Sequence, residues 1–193
     1  MTLSPVLTPR AAREQKVFRT LLNAMARPGT IGQLPVLERP DQSRLLAIAE
    51  ALVDHEVTFA VLPERPELVD AVLRLTGSHQ APVESADYVF CDASSLTDAL
   101  TRVKDGTLEY PDQSATVICD VQDIHEPSAE FIELSGPGIN QSIRVHVHGF
   151  ESAALSAFAQ RNALPPTGVD VVFVSQAGHV TCLSRYTKLR LED

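Results

Sequence analysis

The chain has 193 residues, of which 44% are hydrophobic and 21% charged, and its net charge is −9. That length supports one domain able to bury its own core, and the acidic balance argues against nucleic acid as a partner. No apolar run reaches the roughly 18 residues of a membrane helix, and the N-terminus lacks the basic start and apolar stretch of a secretory signal, so a cytoplasmic protein is expected.

In chain order, Thr8 and Pro9 open a helix: a capping hydroxyl, then proline at the first helical position. Val17, Phe18, Leu21, Leu22 and Met25 recur at helical spacing on one face, and Arg27-Pro28-Gly29 stops the helix. A short strand is expected over residues 30–34. Ser43 caps a second helix over 45–53, and the strand 57–62 ends at Pro63. A helix over 66–75 closes at Gly77. The strand 88–91 precedes a helix over 95–104, and 116–121 is the next strand. This alternation implies a largely parallel sheet with helices on its faces.

Beyond Val121 the pattern changes. Residues 131–134 and 143–147 read as strands flanking Ser135-Gly136-Pro137-Gly138, 151–162 as a helix, and 169–174 with 179–183 as a hairpin. Strands without intervening helices are expected as antiparallel additions to the same sheet. The expectation is a single three-layer α/β domain over residues 1–193. Its mixed, largely parallel central sheet draws on 57–62, 88–91, 116–121, 131–134 and 169–174.

Charge is uneven along the chain. Up to Arg44 there are seven basic residues (Arg10, Arg13, Lys16, Arg19, Arg27, Arg39, Arg44) against three acidic, a balance of +4 that leaves −13 for the rest. The basic part suits an acidic partner or an anionic substrate, or is a solvated helix face. Cys91, Cys119 and Cys182 form no C-x-x-C pair and read as small buried hydrophobes with free thiols.

Few residues suggest a catalytic set. Gly136-Pro137-Gly138 resembles the start of a dinucleotide fingerprint, but Gln141 stands where glycine belongs and a strand follows instead of a helix, so a tight turn is expected. His146 and His148 fall on one strand face and can grip a metal if His125-Glu126 or His179 supplies a third ligand. The other reading is an exposed polar strand face. The carboxylate pairs Glu130 and Glu133, Asp54 and Glu56, and Asp120 and Asp123 suit acid–base work or plain solvation. Neither a G-x-S-x-G elbow nor a P-loop occurs. The three lysines, Lys16, Lys104 and Lys188, offer no Schiff-base candidate. Neither a metal nor pyridoxal phosphate is expected.

Three stretches carry a resemblance. The most specific is Phe18-Arg19-Thr20-Leu21-Leu22-Asn23-Ala24-Met25-Ala26-Arg27-Pro28-Gly29. The others are Glu133-Leu134-Ser135-Gly136-Pro137-Gly138-Ile139, and Leu164-Pro165-Pro166-Thr167-Gly168-Val169-Asp170-Val171-Val172-Phe173 running on to Leu183-Ser184-Arg185-Tyr186-Thr187. Together they are similar to the PhnH family, a subunit of the bacterial carbon–phosphorus lyase core complex. The resemblance implies an α/β fold like the large domain of pyridoxal-phosphate-dependent transferases, with the cofactor site lost. It implies a protein that is not catalytic alone. With sister subunits PhnG, PhnI and PhnL it replaces the adenine of ATP by an alkylphosphonate, giving a ribose 1-phosphonate 5-triphosphate. A radical subunit, PhnJ, then cleaves the carbon–phosphorus bond. A homodimer of the isolated chain is also implied. The chain departs from the family's pattern at Arg144-Val145-His146-Val147-His148, and at Tyr186 where threonine is common.

For contact with an anion or a partner, Arg19, Arg27 and Arg185 are the candidates, because guanidinium meets phosphate and phosphonate oxygens bidentately. The alternative is that they pair with local carboxylates and shape the fold. Two other functions stay open: a metal-dependent stand-alone enzyme using His146/His148, and a dimeric scaffold outside phosphonate metabolism.

Overall fold

In chain order the elements of the computed structural model are α1 (Pro9–Ala26), β1 (Gly32–Gln33), α2 (Arg44–Leu52), β2 (Thr58–Leu62), α3 (Pro66–Thr76), β3 (His79–Gln80), β4 (Tyr88–Asp92), α4 (Leu96–Arg102) and β5 (Thr116–Val121). They continue with β6 (Asp123–His125), β7 (Ile132–Ser135), β8 (Ile143–His148), α5 (Ser152–Arg161), β9 (Asp170–Ser175), β10 (His179–Leu183) and β11 (Lys188–Leu191). Residues 8–36, 43–126 and 131–191 are described. No helix among them is long and apolar enough to cross a membrane.

Seven strands form the main sheet in the order β1-β10-β9-β5-β4-β2-β3. From β9 to β3 all neighbours are parallel, while β10 and β1 add antiparallel at one edge. Alternation splits each strand between two cores. Phe59, Val61, Phe90, Ile118, Val172 and Val174 face the side covered by α1, α2 and α3. Ala60, Val89, Cys91, Val117, Cys119, Val171 and Phe173 face α4, α5 and a second sheet. Burial on both faces explains why the central strands read as continuous apolar runs.

The second sheet has the order β11-β7-β8-β6, with every pair antiparallel. The strand expected over 131–134 belongs here as β7, not in the central sheet. Its pattern gives the reason. Ile132 and Leu134 are buried while Glu133 and Ser135 are only partly so, which suits a sheet with one covered face. Ile124, Ile132, Leu134 and Val145 lay that face onto the core beneath the main sheet.

The α1 stripe also differs from expectation. Val17, Leu21 and Ala24 are buried, whereas Phe18 and Leu22 are 46% and 55% exposed. The five apolar positions read from spacing span too wide an arc for one contact, and small Ala24 takes the inner place.

Candidate functional site

Helix α1 starts where Thr8 Oγ1 accepts the Ala11 amide at 3.2 Å, with Pro9 at the first turn. Arg10 and Arg13 then reach Glu50 of α2, at 3.6 and 3.5 Å, and the Glu50 side chain is only 4% exposed. These pairs clamp α1 to α2. Further along, Lys16, Arg19 and Arg27 are exposed, and none joins an ion pair among the described residues. Of the N-terminal basic excess, this is the exposed part; Arg44 also joins no ion pair among the described residues but is half-buried. Arg39 lies outside the described residues.

Helical geometry sorts this outer surface into two strips. Lys16, Arg19, Asn23 and Arg27 run along one flank; Phe18, Leu22 and half-buried Met25 run along the other. Beside the basic flank lies a cleft of about 360 Å³, lined by Thr20, Asn23, Ala24 and Arg27 together with the segment 30–33. Its walls are fixed by backbone contacts. Thr20 Oγ1 donates to the Lys16 carbonyl at 3.0 Å, Thr30 Oγ1 donates to the Arg27 carbonyl at 2.7 Å, and Gln33 Nε2 donates to the Ala177 carbonyl at 3.1 Å. A Cβ on Gly32 would come within 2.9 Å of Thr20 Cγ2, so glycine lets β1 lie against the helix.

The three stretches that carried the resemblance meet in space. A Cβ on Gly29 would overlap Ile143 Cγ2 and Leu134 Cδ1, one on Gly138 would overlap the Ala26 carbonyl, and one on Gly136 would overlap the Tyr186 carbonyl. Each glycine permits a close approach of backbone that a side chain would block. The Gly136-Pro137-Gly138 turn therefore braces the end of α1, as a turn and not as a phosphate loop.

Arg185 stands apart from Arg19 and Arg27. Its Nε and Nη2 donate to Asp170 Oδ2 at 3.2 and 2.6 Å, its amide donates to Asp170 Oδ1 at 2.7 Å, and Nη1 donates to the Pro111 carbonyl at 2.6 Å. These bonds tie the end of β10 to the start of β9 and to the loop before β5. Arg19 and Arg27 share the α1 surface; Arg185 braces the sheet.

His146 and His148 do share a strand face, and β6 brings His125 opposite His146. The rings stack: 4.4 Å separates the centroids of His125 and His146 and 5.9 Å those of His146 and His148, with 17° between the planes in each pair. Rings stacked face to face do not converge their nitrogens on a point about 2 Å from each, as a zinc site requires. Among the described residues no three His, Cys, Asp or Glu side chains are arranged to hold a metal. His179 Nδ1 lies 4.0 Å from Asp123 Oδ1.

Other candidates are absorbed by the fold. Glu133 pairs with Arg144 at 3.0 Å, and Asp54 Oδ1 accepts the Glu56 amide at 2.8 Å; Glu130 lies outside the described residues. Cys91 and Cys119 are neighbours across β4 and β5, and all three thiols are buried and free. Contact with Cys91, and then burial, push the Cys119 thiol well up, and burial does the same for Cys182. Lys104 is held by Asp87 at 2.6 Å.

A layered α/β protein with an open basic and apolar helix face presents the kind of surface that subunits bury in an assembly. The chain belongs to the PhnH family of bacterial phosphonate metabolism proteins, whose profile matches residues 5–190. It is 34% identical to a Stutzerimonas stutzeri protein named as a C-P lyase subunit, HtxG, over 95% of this chain and 89% of that one. It is 28% identical to the alpha-D-ribose 1-methylphosphonate 5-triphosphate synthase subunit PhnH of Rhizobium meliloti (strain 1021), over 92% of this chain and 90% of that one.

Proposed function

We propose that this chain is a subunit of the carbon–phosphorus lyase complex, required with PhnG-, PhnI- and PhnL-type sister subunits to exchange the adenine of ATP for an alkylphosphonate. The observation that carries this reading is the near full-length likeness to a protein named as a subunit of that synthase. The reaction is a transfer at the ribose: a phosphonate oxygen bonds to the anomeric carbon as its bond to adenine breaks. The assembly performs the step, and a PhnJ-type subunit acts on its product.

In this reading the α1 surface is the contact. Phe18 and Leu22 supply apolar anchors, and Lys16, Arg19 and Arg27 a basic rim, the anatomy of a specific interface. Arg185 is proposed as a support of the sheet through Asp170. The chain acts as one domain, since the second sheet shares a core with α4, α5 and the main sheet. We place it in the cytoplasm, as a homodimer when isolated, without metal or cofactor. Its fold is read as that of a pyridoxal-phosphate transferase large domain without the cofactor, a reading supported by the three lysines, of which Lys16 and Lys188 are exposed and Lys104 is paired with Asp87.

Affinity capture tests the reading. A tagged copy of this chain is expected to retain an untagged PhnI-type subunit through gel filtration. Elution of the two as separate species at micromolar concentration would contradict it.

A further inference from the structure

The parallel strands end on one side of the main sheet, where two connections leave in opposite directions. From β2 the chain passes through α3 to β3, and from β4 it passes through α4 to β5, the strand on the other side. The two helices also cover opposite faces. Such a reversal opens a crevice between the carboxyl ends of the two strands, the place where open α/β sheets take their ligands.

Three charged residues belong to this end of the sheet. Arg65 follows β2, Asp92 ends β4, and Asp120 is in register with Asp92 on β5. Residues paired across parallel strands point to one face, so the two carboxylates stand side by side. The Arg65 charge acts on both, yet no ion pair joins them among the described residues. Arg65 Nε and Nη2 are shielded from solvent and have no hydrogen-bond partner.

Those two nitrogens form the same fork with which Arg185 grips Asp170. A buried fork left unmade is costly, and its planar geometry matches two oxygens of a phosphate or phosphonate. Arg65 is also the N-cap of α3, an 11-residue helix with no side-chain cap. Glu67 is the acidic residue already in the first turn of that helix.

We propose that Arg65 holds a phosphate- or phosphonate-type oxyanion in this crevice, and that Asp92 and Asp120 accept hydrogen bonds from hydroxyls of the same ligand. The two carboxylates repel an oxyanion that brings no donor. A sugar phosphate brings hydroxyls beside its phosphate and satisfies both halves of the site. Asp92 Oδ1 is already taken by Ser94 and Ser95, at 2.8 and 3.0 Å, so Asp120 is the principal acceptor. Burial raises the Asp120 carboxyl, and the Arg65 charge opposes that shift. The site uses no residue of the α1 surface and stands without the reading proposed above.

The test is an NMR titration of the full chain that follows the Arg65 Nε–H resonance, with inorganic phosphate and ribose 5-phosphate as probes. Ribose 5-phosphate is expected to shift that resonance saturably and to bind about tenfold tighter than phosphate, the worth of one hydrogen bond to a charged group. Arg65→Lys keeps the charge and loses the fork, and it is expected to bind ribose 5-phosphate about tenfold more weakly. Asp120→Asn is expected to narrow the preference for the sugar phosphate. No saturable shift with either probe, or unchanged affinity in Arg65→Lys, overturns the site. Equal affinity for the two probes overturns the role of the carboxylates.

Discussion

Gly138 lies against the backbone carbonyl of Ala26 with no room for a side chain between them. A Cβ there would overlap that oxygen and come within 3.1 Å of Pro28 Cδ, and the residue has φ +83°. A turn from the second sheet thus sets the position at which α1 ends, and with it the outer surface that carries Arg19 and Arg27.

Gly138→Ala is expected to destabilise the protein by about 3 kcal/mol, from backbone strain together with a steric overlap that backbone must relieve. Gly77→Ala is the control. It has a similar φ of +72°, but its nearest neighbour would be His55 Cβ at 4.0 Å. Its cost should be about 1 kcal/mol, that of the left-handed conformation alone. Urea denaturation measures both, and equal costs would contradict the packing argument.

Phe18→Asp and Leu22→Asp are expected to leave folding within about 0.5 kcal/mol of the wild type, because both side chains are largely exposed. Each should weaken retention of a sister subunit by about tenfold or more. Leu21→Ala, at 3% exposure, should instead cost about 3 kcal/mol of stability. Denaturation and binding measured on the same variants separate the two faces of α1. Full retention with both aspartates in place would remove this helix from the interface.

Arg185→Ala is expected to cost about 3 kcal/mol, since it leaves the nearly buried Asp170 carboxylate without its cation. Asp170→Asn with Arg185→Met should recover part of that loss, because the uncompensated charge is removed. Thermal denaturation of the two variants decides the matter. A loss below about 0.5 kcal/mol in the single variant would show that the pair contributes little to the fold.

Asp87 and Asp120 should shift the pH dependence in opposite directions. Burial acts to raise the Asp87 carboxyl, but the bonds from Lys104 and Thr58 prevail and hold it below its ordinary 3.8. Its stabilisation is present above the unfolded value and is lost as pH falls through the folded one. Asp120 is raised, chiefly by burial, with the charge of Asp92 adding and that of Arg65 opposing. Its folded form holds a proton more tightly, so its contribution is lost as pH rises above 3.8 through the folded value. Asp120→Asn should therefore stabilise the protein at neutral pH, and the gain should fade towards about pH 3. Lys104→Met should cost about 1 kcal/mol at neutral pH and less in acid. Urea denaturation at both pH values checks the signs, and a stabilising Lys104→Met would reverse the argument.

Much of the frame was legible in the sequence, for physical reasons. Strands β5 and β10 match their expected spans, 116–121 and 179–183, because each is an apolar run bounded by turn residues. Helix α3 begins at Pro66 and stops at Gly77, which has the left-handed conformation expected of a helix-ending glycine. What was not legible depended on contacts between distant segments. Strands β3 and β6 are short and polar, so periodicity gives them no signal. The two-residue β1 is set by its pairing with β10, which the Leu34 amide extends by one bond to the Gly178 carbonyl. Nothing local tells β7 to pair with β8 and β11 instead of joining the central sheet. The cleft needs Thr20, Asn23 and Arg27 beside Gln33, and the crevice needs Arg65 beside Asp92 and Asp120. Only the folded sheet brings either set together.

The most direct test of the subunit role is release of adenine from ATP and methylphosphonate by reconstituted components. The isolated chain is expected to release none. The PhnG-, PhnI- and PhnL-type subunits without it should also release none, and adding it back should restore turnover. Adenine release by the isolated chain, or full activity of the other subunits in its absence, would contradict the account.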